Sequence, residues 1–340
     1  MASIREACGL VTAKRLSYGK EDSQSWPKIA VLVPCYNEAA TVGRVVHDFL
    51  TFLPQAQVFV YDNNSTDRTV QVALEAGATV RSVMKQGKGH VIRRMFSDVE
   101  ADIFILVDGD DTYSAHEAPL MVEKLVVNRL DMVVGVRTTE DGDAYRTGHR
   151  FGNKVLTWMV TRIFGNAFSD ILSGYRVLSR RFVKSFPALA NGFETETEIT
   201  VHALELNMPV GEVPTNYRSR PTGSLSKLHT YRDGWRIFRT IISLIKAERP
   251  LVFFSFLAGL LSAVAIVLII PILITYQKTG QVPRFPTAIL SMGLFLAAFL
   301  SVTSGLVLDT ITRGRREMKR LFYLSIPHHG SMVEYERDER

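Results

Sequence analysis

The sequence predicts an α/β protein, a wound sheet over residues 29–227 followed by a two-helix transmembrane hairpin. Three observations carry this. Between Ile29 and Val136 short apolar runs alternate with helical patterns, the order of a sheet covered by helices. Polar and acidic turns follow those runs, at the strand ends where wound sheets hold ligands. Farther along, residues 251–276 and 285–308 contain no charged side chain, and each exceeds the roughly 20 residues that cross a bilayer core.

Residues 1–28 are polar and mixed, with no apolar core of a secretory signal, and read as an N-terminal arm. The first strand is IAVLV, with a helix from about Thr41. VFVY precedes a helix from about Asp67, TVRSV a helix from Gly89, and IFILV and DMVVGV complete the pattern. The chain has 340 residues, 46% apolar, and a formal charge of +6, enough for a sizeable core and biased toward an anionic partner. Its two cysteines, Cys8 and Cys35, differ too much in setting to suggest a disulfide framework.

Two segments look amphipathic. In 231–246, Arg232, Arg236, Arg239, Ser243 and Lys246 share one sector, and Phe238, Ile241, Ile242, Leu244 and Ile245 the other, so the segment 228–250 is expected to lie in the headgroup plane. Residues 151–168 give a broader apolar face, open to packing on the sheet or to membrane contact. The hairpin, 251–312, is joined by the short QKTGQVPR. Lys246 and Arg249 precede it and Arg313, Arg315, Arg316, Lys319 and Arg320 follow, which places the sheet domain, both termini and a basic tail over 313–340 on the cytoplasmic side.

The stretch ILVDGDDTY carries the chemistry. Asp108, Asp110 and Asp111 repel one another unless a cation joins them, and Mg²⁺ suits one or two carboxylates completed by substrate phosphates. A calcium loop counted from Asp108 would need glycine and glutamate where Tyr113 and Pro119 stand. QGKGHVI lacks the hydroxyl residue of a P-loop, and Ile92 replaces the third glycine of a dinucleotide fingerprint. Gly87, Lys88 and Gly89 still fit a turn beside a diphosphate at a helix N-terminus, or a plain turn. VPCYNE and YDNNSTDRT end the first two strands. There Tyr36 can cover a base, Glu38 and Asp62 can accept hydrogen bonds from base or ribose, and Asn63 with Ser65 suits an Asx turn.

LVPCYNEAATV, VYDNNSTDRT, GKGHVIRRMF, LVDGDDTY and SGYRVLSRRFV, in this order, resemble the family 2 glycosyltransferases of GT-A fold. Within them the chain is most similar to the polyprenyl-phosphate glycosyltransferases related to dolichol-phosphate mannose synthase, from about Ile29 to the second span. The resemblance implies a Rossmann-like nucleotide-binding domain in which Pro34, Tyr36, Glu38, Asp62, Asn64, Lys88 and Asp108 hold the nucleotide. It implies that Asp108 and Asp110 bind Mg²⁺ or Mn²⁺. Thr112 stands where relatives place a glutamine as a further metal contact, so Asp111 or water is open as a substitute.

The resemblance also assigns an acceptor side. Arg137, Arg150, Ser173 and Arg176 would meet a lipid phosphate, with Arg146 and Lys154 as neighbours, because arginine pairs its donors with phosphate oxygens. Asp170 corresponds to a catalytic aspartate. A phosphate acceptor with a second pKa of about 6 is already mostly ionised near neutrality, so Asp170 is expected mainly to position groups, with a cap or an ion pair to Arg176 as the alternative. Glu194 and Glu196 are candidates for the donor sugar. Arg218, Arg220 and Lys227, in YRSRPTGSLSKL, would close over the diphosphate, with Gly223 supplying flexibility. Catalysis would rest on Asp110, Asp170, Arg218 and Lys227.

The expected activity is inverting transfer of one sugar from a nucleoside diphosphate, UDP before GDP, to a polyprenyl phosphate at the cytoplasmic face of a bacterial cell membrane. The expected partners are that donor, the polyprenyl phosphate and membrane lipid, with no nucleic acid; a homo-oligomer, a tetramer in the family's pattern, is open. A processive polysaccharide synthase would carry Q-x-x-R-W and more spans, neither of which is present in this sequence. A catalytically silent sugar-nucleotide scaffold is the other rival. Replacing Arg232, Arg236 and Arg239 with glutamate is expected to weaken attachment to anionic membranes, at about 1 kcal/mol per basic residue. Activity that is indifferent to the anionic lipid fraction in both forms would contradict the interfacial placement.

Overall fold

The chain's structure is a computed structural model that describes residues 27–138, 168–188, 195–218, 239, 242–243, 245–246 and 248–327. Seven strands form one sheet: β1 (Ile29–Cys35), β2 (Gln57–Asp62), β3 (Thr79–Ser82), β4 (Ile103–Leu106), β5 (Met132–Thr138), β6 (Arg176–Ser179) and β7 (Val210–Asn216). Their order is β3-β2-β1-β4-β6-β5-β7. The five apolar runs read from the sequence become β1 to β5. β6 and β7 were not anticipated as strands, and β6 is antiparallel to both β4 and β5.

The central strands are apolar throughout because both faces are covered. Val31 and Val33 of β1 point toward α1 (Val42–Phe52), α2 (Thr69–Glu75) and α4 (Ala118–Val127), while Ala30 and Leu32 point the other way. That second face is filled from α3 (Lys88–Asp98), α5 (Arg180–Ser185) and α6 (Thr195–Glu205). Ser179 starts α5 as a side-chain cap, accepting from Phe182 N at 3.1 Å. Its hydroxyl donates to Asp131 at 2.7 Å.

The two charge-free runs form α7 (Pro250–Thr279) and α8 (Phe285–Ser325), which pack along each other. Both are long and apolar enough to cross a membrane, and they leave side chains such as Phe256, Val267 and Phe299 exposed. At 1.5 Å per residue α8 is about 61 Å long, roughly twice a bilayer core, so its last turns must project beyond it. Those turns dock on the sheet domain. Tyr323 donates to the fully buried Asp131 at 2.5 Å, Arg181 holds the same carboxylate at 2.5 Å, and its guanidinium lies 4.7 Å from the Tyr323 ring centre. Lys319 donates to Glu205 at 2.8 Å. The segment expected as a basic tail from residue 313 is therefore helical as far as Ser325, and the expected boundary at 312 marks no break. Ile245 packs against the same core cluster, so this apolar residue of the 231–246 segment faces protein. The 151–168 stretch, except Phe168, lies outside the described residues.

His202 of α6 packs edge-on against the stacked rings of Phe182 and Phe186, with Ser185 Oγ 3.2 Å from Nε2. Burial, reinforced by the charge of Lys319, pushes its pKa down to about 4. Because the folded value lies below the unfolded one, the stability due to neutral His202 is complete above pH about 6.5 and is lost as pH falls toward about 4. Wild type is expected to lose about 2–3 kcal/mol between pH 7 and 4.5 that His202→Gln does not lose. Denaturant unfolding in detergent at both pH values measures this; identical pH slopes would contradict it.

Candidate active site

All strands except β6 run parallel, so the carboxyl ends of β1, β2, β3, β4, β5 and β7 share one edge with the amino end of β6. The polar turns read from the sequence converge on that edge. The first two are sewn together. Asn37, in the left-handed region at φ 52°, donates from its backbone to Ser65 Oγ at 2.8 Å and accepts from Thr66 N at 2.8 Å. Glu38 N donates to Thr69 Oγ1 at 2.9 Å. The Asx turn expected on Asn63 does not form; Ser65 N donates instead to the Asp62 carboxylate, three residues back, at 3.1 Å. Asn63 instead ties down the next loop, donating to Val83 O and Lys85 O and accepting from Gly87 N at 2.7 Å. Asn64 stands exposed on the rim, while Pro34 and Tyr36 are half-buried.

The three aspartates have different partners. Asp108 accepts from Lys88 Nζ at 2.5 Å. Asp110 accepts from Thr112 Oγ1 at 2.6 Å. Asp111, at φ 57°, turns away to Arg44 of α1 at 3.0 Å. Thr112, expected as a further metal contact, donates to Asp110, and Asp111, its expected substitute, is paired with Arg44. Thr41 Oγ1 donates to Gly109 O at 2.7 Å, which joins the acidic turn to the first one.

Lys88 also reaches Glu196, at the start of α6, and so bridges two carboxylates. Burial opposes its charge, but Asp108 and Glu196 outweigh it and hold the ammonium well above the ordinary lysine range. Among the described residues, the second carboxylate oxygen of Glu196 is buried without a hydrogen-bond partner.

On the other side Asp170 receives Arg137 through two bonds, Nε at 2.6 Å and Nη2 at 2.8 Å. The Arg137 guanidinium lies 5.5 Å from the Tyr217 ring centre. Tyr217 bridges back to Tyr113, and Arg218 N donates to Thr112 O at 2.9 Å, which sets Arg218 beside the acidic turn. Burial, with Asp108 nearby, raises the Tyr113 phenol, whose oxygen accepts from Gly174 N at 2.9 Å.

Ser173 and Arg176, expected at the lipid phosphate, are fully buried. Arg176 donates to Ser173 O at 3.0 Å and Ile171 O at 2.8 Å, and burial pushes its pKa down to about 10. Ser173 donates to Gly135 O at 2.5 Å. Both brace the 170–175 loop from beneath, and the Asp170 ion pair forms with Arg137 instead of Arg176. Arg146, Arg150, Lys154, Glu194, Arg220, Gly223 and Lys227 lie outside the described residues.

The donor set fits a hard divalent cation. Its members are oxygens, a lysine ammonium already stands against Asp108 and Glu196, and one Glu196 oxygen lacks a partner among the described residues. Among the described residues no group of three or more His, Cys, Asp or Glu side chains forms a complete cage.

This arrangement, a nucleotide-type sheet with an acidic turn at its switch edge, is that of a GT-A glycosyltransferase domain. The family model described as Glycosyl transferase family 2 matches residues 30–186. The chain is 32% identical to glycosyltransferase AglJ of Haloferax volcanii over 297 residues, covering 86% of this chain and 97% of that one. It belongs to glycosyl transferase family 2. A dolichyl-phosphate hexose transferase of the same organism is 25% identical over 65% of this chain and 95% of its own. An uncharacterized Shigella flexneri protein is 55% identical over 46% of this chain and 95% of its own. Among solved structures, glucosyl-3-phosphoglycerate synthase from Mycobacterium tuberculosis, in complex with Mn²⁺, UDP and phosphoglyceric acid, shares the fold at TM-score 0.53. It is 21% identical over 65% of this chain and 78% of that one.

A Cβ on Gly174 would lie 2.4 Å from Asp108 Oδ2. Gly174→Ala is expected to destabilise the protein by about 1–3 kcal/mol through this overlap, and far less in an Asp108→Ala background. A double-mutant cycle by denaturant unfolding tests it; additive effects would contradict the contact.

Proposed function

We propose that the protein transfers a single sugar, with inversion, from a UDP-sugar to a polyprenyl phosphate at the cytoplasmic face of a membrane. The observation that carries this is the cation-seeking acidic turn beside a buried Arg137–Asp170 pair, in a domain joined to an apolar hairpin. UDP as the nucleotide is supported by the solved relative of this fold, which holds UDP with Mn²⁺. The acceptor class is supported by the similarity to a dolichyl-phosphate hexose transferase.

In this reading Tyr36, Glu38 and Asp62 receive the nucleoside, with Asn64 at the rim. Asp108 and Asp110 hold the divalent ion, Mg²⁺ or Mn²⁺, which when bound offsets the charge of the departing diphosphate. Arg218, whose backbone is tied to the acidic turn, adds its own charge beside the leaving group. Glu196 receives donor-sugar hydroxyls. Arg137 meets the acceptor phosphate, and Asp170 fixes the guanidinium's orientation, because two parallel bonds leave it a single plane. That phosphate is ionised near neutrality, so Asp170 need not remove a proton for it to attack. We assign residues 29–227 to the transferase domain, 228–250 to the juxtamembrane segment, and α7 and α8 to the membrane anchor.

Purified protein with Mn²⁺ and a panel of UDP-sugars is expected to release UDP only when polyprenyl phosphate is added. Asp110→Ala is expected to lower turnover at least about a hundredfold with the fold intact by circular dichroism. Release that ignores the lipid would contradict the acceptor, and near-normal Asp110→Ala turnover would contradict the metal site.

A further inference from the structure

Lys88 stands where a metal-bound diphosphate is read to go. Its ammonium lies between Asp108 and Glu196, only 11% of the side chain is exposed, and Asp108 is the residue assigned to the cation. A divalent ion sits about 2.1 Å from a carboxylate oxygen, so an ion on Asp108 would be a near neighbour of this ammonium. Two cations cannot share one carboxylate at that range without strong repulsion.

The backbone that carries Lys88 is fixed. Gly87, at φ 131°, donates to Asn63 Oδ1 at 2.7 Å, and Asn63 holds Val83 O and Lys85 O on the same loop. Lys88 then opens α3, whose first turn is directed at the same edge. Any movement of the ammonium is therefore rotation of a flexible four-carbon stem on a pinned hinge, with no loop rearrangement. An arriving diphosphate is the kind of group that draws it away, because it presents negative oxygens at a helix N-terminus.

Resting on the metal-assisted reading above, we propose that Lys88 is a built-in counter-ion that occupies the cation site until a nucleoside diphosphate draws it off Asp108. Metal uptake is thereby made conditional on the donor. The lysine partly offsets the charge of Asp108 and Glu196 in the empty enzyme, disfavours binding of free divalent ions, and then contacts the diphosphate it has admitted. Nucleotide and metal favour each other beyond their direct contact, and the coupling is reciprocal.

The test uses the full chain in detergent and Mn²⁺ itself as the probe, followed by the signal of free Mn²⁺ in electron paramagnetic resonance. Wild type is expected to bind Mn²⁺ weakly alone and tightly with UDP. Lys88→Gln is expected to bind Mn²⁺ alone about tenfold more tightly than wild type, with a correspondingly smaller gain on adding UDP. If the two carboxylates left without their ammonium prevent Lys88→Gln from folding, the double variant Lys88→Gln with Glu196→Gln removes their repulsion and is expected to show the same gain. UDP-dependent uptake by wild type without any gain in the variants overturns the inference alone. Wild type that takes up no Mn²⁺ even with UDP overturns the metal-assisted reading and this inference with it.

Discussion

The repulsion among Asp108, Asp110 and Asp111 organises the edge of this sheet. Three carboxylates cannot lie within four residues at the end of a buried strand unless each has a different partner. The chain provides Lys88 from α3, Thr112 from the turn itself, and Arg44 from α1. Reaching Arg44 requires Asp111 to adopt φ 57°, a left-handed backbone that aspartate tolerates better than most residues. The division of partners also divides roles. Asp111 anchors the turn to a helix, while Asp108 is left facing the Lys88 ammonium.

The same turn ties the site to the rest of the molecule. Thr41 links it to the first strand turn and Arg218 N to the chain leaving β7. Through Lys88 it reaches Glu196, and α6 then runs from that glutamate to Glu205 at its other end. Glu205 meets Lys319 on the projecting turns of α8. One short helix thus spans the distance between the acidic turn and the helix that we read as leaving the membrane. The apolar hairpin is tied into the core through Tyr323 and Asp131, which fixes its attitude to the sheet domain.

The half-exposed edge strand β3, TVRS, is legible from its place in the alternation, whereas β1, β2, β4 and β5 are legible because buried parallel strands are nearly continuous apolar runs, as in IAVLV and IFILV. The hairpin was legible for the same reason on a larger scale. β6 was not, since YRVLS reads equally as a loop and its antiparallel insertion between β4 and β5 depends on partners far along the chain. Arg176 shows what residue type alone conceals: an arginine beside a site motif suggests phosphate binding, yet its donors go to backbone carbonyls in the core. Asn37 carries no mark in the sequence and Asn63 reads there as part of a turn with Ser65; only the hydrogen bonds reveal that both fix backbone across loops. The Lys88 bridge joins residues 108 positions apart, a pairing that no local pattern encodes.

The central claim is that this acidic turn binds a divalent cation together with a nucleoside diphosphate. Calorimetric titration of UDP into the detergent-solubilised chain, with and without Mn²⁺, measures it most directly. The account predicts markedly tighter UDP binding when Mn²⁺ is present, and an equal affinity in its presence and absence would contradict it.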